Sequence, residues 1–168
     1  MAIFLGARTV ALADSSAALE GGFLAADGGW ASLIGPSRAS DTGSERVDHV
    51  SWAFGLGAGY QLPSGLAIQT RFDQLGVTAP AGGGHISIWT GGLRYARPAM
   101  VMPVVELMLG AAVHDSAVRP SVSLGGGVAL RAARHFVFDA LLHDWVVDDA
   151  GLHHVVSISF GICAGFGG

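Results

Sequence analysis

The sequence predicts an all-β fold: a closed up-and-down antiparallel transmembrane β-barrel of about eight strands. Three observations carry that prediction. Apolar residues recur at every second position along most of the chain, which is the period of a strand with one greasy face. The alternate positions hold glycine, alanine, serine and a few charges, not the charged face that a soluble sheet turns to water. Composition agrees, because 51% of the 168 residues are hydrophobic, 13% are charged and 26 are glycine, whereas soluble domains carry about 25% charged residues and about 7% glycine.

A mean hydropathy of +0.49 also invites a helical membrane reading, and the chain argues against it. The charge-free run from His49 to Thr70 is long enough to span a bilayer but contains Pro63 and four glycines, and the run from Ala99 to Val113 is broken by Pro103 and Glu106. A spanning helix needs about 20 mainly apolar residues, and its interior is penalised by about 1 kcal/mol per Gly and about 3 per Pro.

The strands follow in order. The first is read near residues 17 to 27, where Gly21, Gly22 and Asp27 weaken it, and residues 28 to 47 read as a long polar loop. The second, residues 48 to 61, alternates most cleanly: Trp52, Phe54, Leu56 and Tyr60 on one face, Ser51, Gly55, Gly57 and Gly59 on the other. The tight Leu62-Pro63-Ser64-Gly65 turn leads to the third, near 65 to 77, and the fourth lies near 85 to 96. Its alternation slips at Trp89 to Gly92, which predicts a bulge there. Residues 103 to 113 and 120 to 131 form the fifth and sixth, and the short Arg131-Ala132-Ala133-Arg134 connection precedes the seventh, near 135 to 145. A charged loop over 144 to 153 separates it from the eighth, 153 to 166. Short turns at one end and longer loops at the other are the habit of transmembrane barrels.

Read this way, the minority face gathers Glu20, Gln69, Arg71, Asp73, Arg94, Glu106, Arg131 and Asp139 at mid-strand positions. An eight-stranded barrel has a lumen just wide enough to be filled by side chains. These groups are therefore expected to meet across it as a network of ion pairs. The apolar face would then meet lipid, with Tyr60, Tyr95, Phe136, Phe138 and Phe166 near the tight-turn rim and Trp30, Trp52, Trp89 and Trp145 near the other, as interfacial girdles do.

This pattern resembles the small eight-stranded outer-membrane barrels of the OmpA/OmpX kind. The last strand adds a more specific element: Ser159, Gly161, Ala164 and Phe166 resemble the C-terminal signal (polar, x, Gly, x, x, hydrophobic, x, aromatic) read by the barrel-assembly machinery. The resemblance implies a monomer in the outer membrane of a Gram-negative bacterium, in contact with its lipid and lipopolysaccharide. It also implies termini toward the periplasm, long loops outside, no cofactor, and a structural, surface-contact or narrow-pore role without catalysis. Residues 1 to 13, ending in Ala11-Leu12-Ala13, read as a signal-peptide remnant, and residues 14 to 168 as one barrel domain.

Other functions find less support. All nine basic residues are arginine and the net charge is −4, without the clustered basic face that nucleic acid requires. Cys163 is the only cysteine, so an intramolecular disulfide is excluded. The glycine runs 82–84 and 125–127 lack the Lys-Ser/Thr of a phosphate loop. Six of the seven histidines fall near the predicted outer rim. His143, His153 and His154 could hold a metal there, although a polar rim explains them as well. Some outer-membrane barrels modify lipid A, and the deacylases among them carry a His-x-Ser pattern whose nearest match is His85-Ile86-Ser87. A soluble lipocalin-like barrel remains the other alternative, and it would need an apolar cavity and a wettable exterior.

Overall fold

The computed structural model of the chain describes residues 20–34, 51–79, 82–114, 116–148 and 152–166. They form eight strands: β1 (Gly21–Ile34), β2 (Ser51–Gln61), β3 (Leu66–Ala79), β4 (Gly82–Ala96), β5 (Val101–His114), β6 (Ala117–Ala133), β7 (Phe136–Asp148) and β8 (Leu152–Phe166). Each is antiparallel to the next, and β8 returns to pair with β1 along Gly22↔Phe166 to Ile34↔His154, closing the barrel. Closure leaves no unpaired edge, which a sheet in hydrocarbon requires.

Alternation decides which side of the wall each residue occupies. On β5, Val101, Val105, Leu107 and Leu109 are exposed outward, while Met102, Val104, Glu106 and Met108 are buried inward. The same parity puts Trp52, Phe54, Leu56 and Tyr60 outside and Gly55, Gly57 and Gly59 inside. The exterior is thus the greasy face, which rules out the soluble lipocalin-like arrangement. Along β8 the outward apolar residues run from Val156 to Phe166. Those ten intervals of about 3.3 Å, at a tilt of about 40°, give a band roughly 25 Å tall, the height of a transmembrane barrel's apolar belt.

Several expectations from the sequence are corrected. β1 begins at Gly21 and continues to Ile34, so residues 28–34 are strand, not loop. Gly21 opens it with φ of 111°, a left-handed backbone that glycine adopts without strain. Glu20 consequently precedes the strand and is exposed outside the lumen. The slip expected in β4 does not occur: β4 pairs in continuous register with β3 and β5 through Trp89, Thr90, Gly91 and Gly92. The sequence misleads there because Gly91 occupies an outward position with no side chain to mark it. The register shift lies in β6, between Arg131 and Ala133. The residues read as a charged loop at 144–153 are largely strand, with β7 and β8 paired up to Asp148↔Leu152. At the end distant from the tight turns, the connections are residues 35–50, 80–81, 115–116 and 149–151, so only one of them is long.

Candidate functional site

The interior has three layers. Nearest the tight turns, Phe23, Ala67, Ala96, Met102, Val104, Ala129, Val137, Leu141 and Cys163 pack together as one buried apolar cluster. Toward the opposite rim a second cluster contains Ala31, Ala53, Leu75, Ile88, Ala112, Trp145, Val147 and Val155. Between the two lies a layer of buried charge.

That layer is built on two guanidiniums. Arg71 Nη2 donates to Asp27 Oδ2 at 2.8 Å and to Asp73 Oδ1 at 2.7 Å, while its Nε donates to Asp73 Oδ2 at 3.3 Å. Arg94 Nη1 donates to Glu106 Oε1 at 2.9 Å and Nη2 to Asp139 Oδ2 at 3.2 Å. His143 Nε2 lies 3.0 Å from the other Glu106 oxygen. Glu106 is 0% exposed and Arg71 3%, so these charges are compensated by one another and not by bulk water. Arginine suits the task, since its planar fork can bond two carboxylates at once. Room for the long side chains comes from inward glycines: a Cβ on Gly55 would run into Arg71 Nη2 and Asp73 Oδ1, and one on Gly125 into the His143 ring.

Of the residues assigned to the lumen by sequence, Arg71, Asp73, Arg94, Glu106 and Asp139 meet in this layer. Gln69 is buried beside it and donates to the Met108 sulfur at 3.4 Å. Arg131 stands in register with Val137, at the depth of the lower apolar cluster. Glu20 takes no part. Two members were missed. Asp27 was obscured by a first strand started too early, although it shares parity with inward Phe23. His143 was assigned to the rim, although it stands four residues after Asp139 on the same strand and must share its face. The same parity carries Trp145 inward, where it is 1% exposed, so it belongs to the upper plug and not to the outer girdle. Trp30, Trp52 and Trp89 do face outward.

The expected histidine rim is divided by the wall. His143 points into the lumen, whereas His154 is exposed outside, its Nδ1 3.0 Å from Asp144 Oδ1. These two cannot share an ion, and the side chain of His153 lies outside the described residues. Among the described residues no group of three or more His, Cys, Asp or Glu has the arrangement of a metal site. His85 and Ser87 both occupy outward positions on β4. In register with them on β3 are Gly76 and Gln74, and Ser87 also faces Val113 on β5.

No family model matches the chain, and no curated relative matches it. Solved structures do. Neisserial surface protein A aligns over 88% of this chain and 98% of its own, with a TM-score of 0.64 at 13% identity. The attachment invasion locus protein Ail of Yersinia pestis aligns over 88% and 99%, with a TM-score of 0.55 at 15% identity. The chain has the fold of the small outer-membrane β-barrels. Within that fold the final β8 residues divide by side: Ser159 is buried inward with Gly161 in phase, and Ala164 and Phe166 face outward.

Proposed function

We propose that the chain is a non-catalytic outer-membrane barrel with a sealed lumen, serving as a structural platform that presents surface to the exterior. The observation that carries this reading is the layered interior, in which a charged layer held by Arg71 and Arg94 is closed off by apolar side chains on both sides. Ions entering such a path must shed water against closely packed, mainly apolar side chains, among which Ser121 and Ser123 are also buried, and this favours a stopper over the narrow-pore alternative. Surface contact would fall chiefly to residues 35–50, the one long connection at the rim away from the tight turns.

Reconstitution into planar bilayers tests the seal. The intact chain is expected to give no steady single-channel steps, whereas Trp145→Gly with Ile88→Gly, which empties part of the upper plug, should admit small ions. Sugar-permeable channels from the unaltered chain would overturn the reading. Release of fatty acid from purified lipopolysaccharide would contradict the non-catalytic part. In the envelope, the barrel-assembly machinery would act on the end of β8, so Phe166→Ala should lower the fraction inserted.

A further inference from the structure

On one side of the lumen, between the charged layer and the rim away from the tight turns, buried polar atoms are left unanswered by the chain. Thr90 Oγ1, Ser121 Oγ, Ser123 Oγ and Trp145 Nε1 find no hydrogen-bond partner among the described residues. The four residues are 4%, 3%, 0% and 1% exposed, so bulk water does not serve them. Buried groups of this kind are bonded to protein or to ordered water in nearly all folded chains.

Strand pairing gathers the four into one niche. Thr90 on β4, Gly110 on β5 and Ser121 on β6 stand in a single cross-strand row. In the next inward row Met108 pairs with Ser123, and Ser123 with Trp145. Gly110 contributes no side chain, which leaves the space between Thr90 and Ser121 open, with Ser123 one inward position away along β6. The glycine is fixed there, because a Cβ would overlap the Trp89 carbonyl oxygen. β4 and β6, which do not pair, also come near each other across β5. Two strand spacings of a flat sheet amount to about 9.6 Å. Two hydrogen bonds through one oxygen atom span about 5.6 Å, and the reach of the two side chains supplies the rest.

The occupant has to be small, neutral and able both to donate and to accept. The three hydroxyls do both, whereas the indole N–H only donates. Charge argues against an ion. The adjoining layer holds four carboxylates, those of Asp27, Asp73, Glu106 and Asp139, against the guanidiniums of Arg71 and Arg94. That excess repels an anion, and the niche itself offers a cation no carboxylate. We infer that Thr90, Ser121, Ser123 and the Trp145 indole form a binding site for ordered water, of which at least one molecule bridges β4 to β6 over Gly110. The inference deepens the sealed-lumen reading and rests on it in one respect: water held here is part of the packing, not a conduction path.

The test is NMR of the full chain with nitrogen-15-labelled tryptophan, refolded in detergent micelles, the Trp145 resonance being assigned from Trp145→Phe. Its indole proton is expected to show NOE and ROE cross-peaks of opposite sign at the water frequency, the pattern of water that stays bound while the barrel tumbles. Ser121→Val with Ser123→Val, which fills the niche, should abolish them. Urea unfolding gives a second readout, whose sign separates a hydroxyl that binds water from one that is buried bare. Removing the first strands a bound partner and lowers the urea midpoint, whereas removing the second relieves a desolvation penalty and raises it. Thr90→Val and Ser121→Ala are both expected to lower it. The absence of a water cross-peak in the parent, or a midpoint that is unchanged or higher in both variants, would overturn the site. So would a Trp145 indole shift that titrates with chloride, which would make the occupant an anion. Planar-bilayer conductance is recorded alongside: a silent barrel without the cross-peak sinks the niche alone, and steady channels with only transient water at Trp145 sink the sealed-lumen reading with it.

Discussion

Gly125 and Gly126 are neighbours in the chain and opposites in the fold. A Cβ on Gly125 would strike the imidazole of His143, whereas one on Gly126 would reach only a carbonyl oxygen at 3.7 Å. The first glycine is required by what the barrel encloses; the second faces a solvent that accepts any apolar shape. The two sides of one sheet therefore obey different rules. The lumen face is a fixed jigsaw of charge and small residues, where Arg71 and Arg94 are each answered by particular carboxylates. The outer face needs only to be apolar over the right height.

The largest effects should come from breaking the lumen side. Arg71→Ala would leave Asp27 and Asp73 buried without the guanidinium that both contact, a loss expected to cost about 3–5 kcal/mol. Urea unfolding of the refolded chain in micelles measures it. Adding Asp27→Asn and Asp73→Asn to that variant should recover a good part of the loss, because most of the cost is uncompensated charge. If the single variant were as stable as the parent, the charged layer would not be what holds the barrel's centre.

Next comes a charge placed on the opposite face. Leu124 is 60% exposed and outward on β6, and Leu124→Arg should destabilise the barrel in vesicles by about 2–4 kcal/mol if it lies near mid-bilayer. The same substitution toward the tight turns, Leu130→Arg, should cost less, since the penalty falls near the interface. A depth-independent cost would contradict the belt. Third, Gly125→Val should cost about 1–3 kcal/mol by forcing His143 off Glu106, and Gly126→Val should change stability by less than about 0.5 kcal/mol. Equal costs would erase the distinction between the two faces.

The same contrast explains what was legible in the sequence. Faces could be read wherever large apolar residues fix parity, so Arg71, Asp73, Arg94, Glu106 and Asp139 were assigned to the lumen from alternation alone. The in-register pair Arg94↔Glu106 follows once β4 and β5 are adjacent. Arg71 to Asp27 and Arg94 to Asp139 do not follow, because they join β3 to β1 and β4 to β7, strands that never pair. Those contacts depend on the bore of the closed barrel, a tertiary property. Strand ends were misread for a different reason: a charged residue such as Asp148 looks like loop in a sequence, whereas here β7 runs on to it and β8 begins at Leu152, beyond Asp144 and His154.

The exposed pair formed by those two residues sharpens the contrast at its small end. His154 and Asp144 face outward just above Val156 and Leu142, with side chains 46% and 45% exposed. They are joined by the kind of contact that, inside the lumen, would be costly to break. Outside, water competes for both groups and salt screens them, so the pair should contribute no more than about 1 kcal/mol. His154→Gln is therefore expected to shift the urea midpoint slightly, and raising the salt concentration should remove most of that difference. The lumen variants should keep theirs, because water and ions do not reach Arg71 or Glu106. A salt-insensitive loss of several kcal/mol at His154 would mean that the polar rim is enclosed, and the apolar belt would then have to extend above Val156.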